Sequence, residues 1–162
     1  MKIGIMGGTF NPIHNAHLLI AEMAREEYGL DRVIFITDGN PPHKSANVTA
    51  KQRFEMTHIA IADNSAFEED DFEINRSEKS YTVNTLGYLK EKYPNDDLFF
   101  IIGEDSLNDF DKWYKPDKIL EMCSLLVFPR KSLKSLTETI KVVKEKMNGR
   151  IFPISAPVFR IS

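Results

Sequence analysis

Five apolar runs, each too short to be a helix, punctuate the chain at residues 3–6, 33–37, 98–102, 125–128 and 151–154. Helical patterns at 16–28, 50–62, 83–92, 116–122 and 133–147 fill the intervals. Short continuous apolar runs are the mark of strands covered on both faces, and their alternation with helices requires parallel strands joined by crossovers. The expectation is an α/β fold, a Rossmann-like doubly wound parallel sheet, in a single domain over residues 1–162. Residues 72–75 are expected to add a further strand after an acidic turn at 68–71. In such a sheet ligands bind beyond the C-terminal ends of the strands. Gly7, the segment 39–44 and Gly103 follow the first, second and fourth strands.

The end of the first strand carries the densest chemistry. It runs into Gly7-Gly8-Thr9-Phe10, and His14 and His17 follow as the helical pattern begins. Glycine lets a phosphate approach backbone N–H groups because it has no Cβ. Asn11 is suited to an N-cap and Pro12 to the first helical position. The free N–H groups of that turn and the helix dipole favour negative charge. Residues three apart share a helix face, so His14 and His17 can reach one ligand. Singly, each histidine also reads as a satisfied core residue; together, behind the glycines, they read as a polyphosphate site.

Composition narrows the classes. Lys and Arg total 21 against 24 Asp and Glu, a net charge of −3, which gives no footprint for nucleic-acid binding. The lysine-rich stretch 131–146 has Leu133, Leu136, Ile140 and Val143 at helical spacing, the pattern of a solvated amphipathic helix. The lone Cys123 lies in an apolar run and reads as a buried, inert thiol. There is no signal-peptide pattern and no apolar stretch of membrane-spanning length. The expectation is a cytoplasmic protein acting on small molecules, with neither nucleic acid nor membrane as partner. No GxGxxG follows the first strand and no GxxxxGK[ST] occurs, which removes the dinucleotide fingerprint and the P-loop.

The segment from Gly7 to Leu18 resembles the (H/T)xGH signature of the nucleotidyltransferase superfamily, and within it the bacterial nicotinate-nucleotide adenylyltransferases. Asn40-Pro41-Pro42-His43-Lys44 is similar to that family's PPHK loop. Ser80-Tyr81-Thr82-Val83-Asn84-Thr85-Leu86 resembles its SYTxxTL segment, Phe100 to Ser106 its FIIGxDS strand end, and Lys112-Trp113-Tyr114 its KWY. Five segments in the family's order span most of the chain. Two departures accompany them. Ala16 stands where the family has glycine. The chain ends at Phe159-Arg160-Ile161-Ser162, with only the opening of an ISSTxIR motif that holds ATP phosphates in the family, so the expectation is a chain cut short within it.

The resemblance implies adenylyl transfer from ATP to nicotinate mononucleotide, giving deamido-NAD and pyrophosphate. Gly7, Gly8, Thr9, Phe10, His14, His17, Gly103 and Asp105 would bind ATP, with Asp105 on nucleotide hydroxyls. Lys44, Thr82, Thr85, Trp113, Tyr114 and Arg130 would bind the mononucleotide. The family places nicotinate against Trp113, with Thr85 and the backbone near Tyr114 on its carboxylate. These groups suit a carboxamide as well. Arg130 reads equally as an exposed structural arginine. Both reactants are anions, so alignment and neutralisation are the chemical task, and no covalent nucleophile is needed. Orientation supplies about 7–11 kcal/mol in favourable cases, and a donor aimed at developing charge roughly 3–4 kcal/mol. His14, His17 and Lys44 are the catalytic candidates. Mg2+ is expected to arrive with ATP rather than in a protein cage. Two other classes remain open: a pantetheine-phosphate adenylyltransferase, which has Thr at the His14 position and lacks the SYTxxTL and KWY segments, and a non-catalytic nucleotide-binding fragment.

Overall fold

The computed structural model describes residues 1–8, 10, 13, 15–39, 49–76 and 81–155. Among these, six parallel strands form one sheet: β1 (Lys2–Gly8), β2 (Arg32–Thr37), β3 (Phe67–Asp70), β4 (Asp97–Gly103), β5 (Ser124–Phe128) and β6 (Ile151–Pro153), in the order β3-β2-β1-β4-β5-β6. The chain winds outward from β1 to β3, crosses back to β4, then winds outward the other way. Between β1 and β4 the winding reverses, and a crevice opens there at the C-terminal ends of the strands. Met6 lies opposite Ile101, and Gly103 opposite Phe128, so these strand ends share one rim.

Strict alternation along each strand builds two cores. Ile3, Ile5, Ile34, Ile36, Phe100 and Ile102 point to one face. There they meet α3 (Thr82–Lys92), α4 (Glu104–Asn108), α5 (Pro116–Met122) and α6 (Leu133–Lys146). Met6, Val33, Phe35, Ile101 and Leu126 point to the other, against α1 (Asn15–Tyr28) and α2 (Ala50–Ile61). Cys123 lies in the first core, its Sγ–H donating to the Ile119 carbonyl.

The helices begin and end on local chemistry. Thr49 and Gln52 form a reciprocal capping box before α2, and the Ser132 hydroxyl caps α6. Pro116 occupies the first turn of α5. After α1, Gly29 takes a φ of +64° and Leu30 N–H returns to the Arg25 carbonyl, a Schellman stop that turns the chain into β2.

The elements differ from expectation in two places. The third strand is Phe67–Asp70, inside the acidic run, whereas Phe72–Asn75 lies in the turn after it. The edge position of β3 explains the exchange, because half of an edge strand's charges can stay wet. Glu68 pairs with Arg32 at 3.0 Å, Glu69 with His58, and the buried Asp70 takes Lys92, Tyr88 and the Phe72 N–H. Phe72 instead stacks on Tyr88, rings 4.2 Å apart. The short α4 and the 3-10 turn Phe110–Lys112 that follows it interrupt the crossover from β4 to β5, where only α5 was expected.

Candidate active site

At the β1 end, the Gly8 carbonyl accepts the Asp38 N–H, which holds the β1 and β2 exits together. A Cβ on Gly7 would make only ordinary contact, 3.7 Å from the Phe100 ring, and the Gly7 backbone lies on the rim of the crevice. The chain then turns through Phe10 at φ 50°, in the left-handed region where a side chain is strained. Phe10 was expected among the ATP ligands, but its ring belongs to the core. It is 4% exposed, packs on Phe35, and meets the His17 imidazole edge-on at a centroid distance of 5.5 Å. Its backbone alone is left for a ligand, and its ring supports His17.

His17 is the third residue of α1 and faces the crevice. A cavity of about 740 Å3 opens in front of it. Gly7, Gly103, Asp105, Trp113 and Arg130 share the lining. The structure thus joins six sequence-predicted residues in one space, drawn from β1, α1, the end of β4 and the connections after β4 and β5. Thr9, His14 and Lys44 lie outside the described residues, as does the segment beginning at residue 156.

Gly103 ends β4 under the Phe128 ring; a Cβ there would lie 2.9 Å from it. The next two residues both engage Arg130. Asp105 Oδ1 accepts from Arg130 Nη1 at 3.1 Å, with both side chains well exposed. An exposed pair of this kind contributes at most about 1 kcal/mol, so a ligand can part it. Glu104 Oε1 accepts the Arg130 backbone N–H at 3.0 Å. Arg130, expected with the mononucleotide residues, therefore stands beside Asp105 of the ATP set.

Trp113 forms the other wall. Its ring packs on Phe110 at 4.9 Å and edge-on to Phe100 at 6.1 Å. Thr82, Thr85 and Tyr114 do not line the cavity. They form an adjoining cluster, because Tyr114 rests on Tyr81 with rings 4.6 Å apart, and Tyr81 precedes α3. Thr85 is buried, and its hydroxyl donates to Glu73 Oε2 at 2.6 Å. The Glu73 backbone is itself pressed against Gly39, where a Cβ would lie 2.1 Å from the Glu73 carbonyl oxygen. Glu73, Glu104 and Phe128 were not singled out from the sequence. Glu104 was within reach, since it sits between the glycine and aspartate of a quoted motif.

Among the described residues no three His, Cys, Asp or Glu side chains converge as a metal cage. In the crevice, Glu104 faces hydrogen-bond donors and Asp105 faces Arg130. Among the described residues no helix is long and apolar enough to cross a membrane.

A cytidylyltransferase-like family model matches residues 5–160. A protein of Citrifermentans bemidjiense named "Probable nicotinate-nucleotide adenylyltransferase" is 48% identical over 146 residues, which cover 88% of this chain and 68% of its own. A namesake in Caldicellulosiruptor saccharolyticus is 39% identical across 100% of this chain and 83% of its own. The solved structure of Plasmodium falciparum nicotinic acid mononucleotide adenylyltransferase complexed with NaAD superposes with a TM-score of 0.78 at 22% identity, covering 98% of this chain and 77% of that one. That likeness is one of fold; the sequence relatives and the family model decide membership. The chain belongs to the cytidylyltransferase-like family, among its nicotinate-nucleotide adenylyltransferases.

Proposed function

We propose that the protein transfers the adenylyl group of MgATP to nicotinate mononucleotide, releasing pyrophosphate and forming deamido-NAD for NAD biosynthesis. The observation that carries this reading is the cavity at the β1/β4 reversal, where a bare glycine backbone, an imidazole, a guanidinium and an indole face one space. Polyphosphate and an aromatic ring are the ligands that such a lining suits. The chain's relatives bear the matching name.

In this reading a phosphate oxygen of the mononucleotide attacks the α-phosphorus of ATP. The new P–O bond forms as the bond to the bridging oxygen breaks, and pyrophosphate carries the electron pair away. His17 donates to the transferring phosphate, held in aim by the Phe10 ring beneath it. Gly7 admits the phosphates to backbone contact. Arg130 exchanges its Asp105 partner for phosphate, which frees Asp105 for nucleotide hydroxyls. His14 and Lys44 complete the charge set. Magnesium belongs to the ATP substrate. Trp113 offers its face to the pyridine ring.

One observation favours a second acceptor. The single Thr85 hydroxyl proton goes to Glu73, so a nicotinate carboxylate must compete for it, whereas a carboxamide can donate its own N–H to the hydroxyl oxygen. The experiment is pyrophosphate release from MgATP with nicotinate mononucleotide, nicotinamide mononucleotide and phosphopantetheine in parallel. Preference for the first is expected. Preference for the amide would establish the second reading, and turnover with phosphopantetheine alone would overturn both.

A further inference from the structure

The first residue of α4, Glu104, is a carboxylate only 6% exposed, met by donors from two other parts of the chain. Oε1 accepts the Arg130 N–H at 3.0 Å, and Oε2 accepts the Ser135 and Thr139 hydroxyls of α6 at 3.1 Å each. We propose that Glu104 is a positioning residue for phosphate binding: it anchors the Arg130 backbone at the cavity rim while the guanidinium leaves Asp105 for a nucleotide phosphate.

Arg130 is gripped twice, by bonds of opposite character. The side-chain bond to Asp105 is exposed, and water or a ligand can replace it. The backbone bond to Glu104 is partly buried and ends on a carboxylate only 6% exposed, so it is a charge-assisted bond that water replaces less readily. The loop has little other freedom. It leaves β5 at Phe128 and is already committed to α6 at the Ser132 cap. With Arg130 N–H fixed between these ends, exchange of partners is a rotation of the Arg130 side chain alone. Ser135 and Thr139, one turn apart on α6, aim the carboxylate and extend the hold into the helix.

The proposal rests on the adenylyl-transfer reading, so its test separates the two. Glu104→Gln preserves the shape: its oxygen can accept the Arg130 N–H, and its amide can donate to hydroxyls that reverse their roles. Glu104→Ala removes the anchor. Steady-state pyrophosphate release gives kcat and KM for each nucleotide in both variants, in Arg130→Ala, and in Glu104→Ala/Arg130→Ala. Glu104→Ala is expected to raise the KM of the phosphate-donating or accepting nucleotide by roughly tenfold or more with kcat nearly held, on the order of one lost hydrogen bond to a charged group. Glu104→Gln should recover most of that loss, and the double variant should bind no worse than Arg130→Ala. Additive losses, a Gln variant as impaired as Ala, or an unchanged KM in Glu104→Ala would each overturn the proposal. If Glu104→Ala does not fold, Ser135→Ala/Thr139→Val loosens the same carboxylate and should raise the same KM by a smaller factor; no change would overturn it. Quenching of Trp113, the only tryptophan and part of the same cavity, reads nucleotide binding without turnover. A wild-type protein silent with every acceptor would therefore sink adenylyl transfer while leaving Glu104 testable by ATP titration.

Discussion

At His17 the imidazole stands on the edge of the Phe10 ring, and Phe10 is held at a left-handed φ of 50°. A strained backbone here costs on the order of 1–3 kcal/mol, and burial of the ring against Phe35 offsets it. Replacing His17 by Ala should lower kcat by about a hundredfold, the effect of one lost donor to developing charge, with little change in either KM. Unchanged turnover would remove His17 from the chemistry. Trp113→Ala should raise the KM for the mononucleotide by roughly tenfold or more, on the scale of lost ring stacking, and leave that for ATP nearly intact. Equal loss for both substrates in steady-state kinetics would instead mean that the wall built on Phe100 and Phe110 had collapsed. His17 was legible because a glycine pair and helical spacing mark it. The left-handed Phe10 was not, since local preference assigns that conformation to glycine. The hydroxyl partners of Glu104 lie 31 and 35 residues further on, beyond any local pattern.

The elements that flank the crevice were read with differing success, and the reason is how each is stabilised. β1, β2, β4 and β5 are covered on both faces, so apolarity alone reveals them. β3 is an edge strand held by ion pairs and by the Phe67 ring on Phe35, and its acidic residues read as a turn. α4 is five residues long and carries no apolar period. Where β2 ends, the contact between Gly39 and the Glu73 backbone locks two connections that the sequence does not link. A methyl at Gly39 would meet a carbonyl oxygen at 2.1 Å, so one backbone must move. Gly39→Ala should cost about 3 kcal/mol, the upper range of overpacking. That corresponds to a fall of roughly 6–12 °C in Tm for a chain of this size. Because Glu73 also holds Thr85, the KM for the mononucleotide should rise with it. A thermal melt within 2 °C of wild type, a bound on the order of the smallest such shift, would show that the two loops part freely.

Across the whole molecule, the two cores and the crevice divide the work: apolar faces fix the sheet, and the strand reversal leaves a polar opening where neither core reaches. Cys123 shows how firmly the larger core excludes water. Burial pushes its thiol from 9.0 up to about 12. The folded protein thus holds the proton more tightly than the unfolded chain. The associated stability is complete below about pH 9, and it is lost as pH rises toward 12, because the unfolded thiol ionises first. At pH 10 this single group should cost about 1.4 kcal/mol relative to pH 7. Tyr28 and Tyr88, also raised by burial, act in the same direction. So does Lys92, whose ammonium is held protonated by its hydrogen bond to the Asp70 carboxylate. Urea unfolding between pH 7 and 10 isolates the thiol when wild type is compared with Cys123→Ala. The variant should be less stable at pH 7, where the space of one sulfur atom is emptied, yet lose less with pH. Parallel curves for the two proteins would mean that the thiol ionises in place, and that water enters the core beside β5 before the fold gives way.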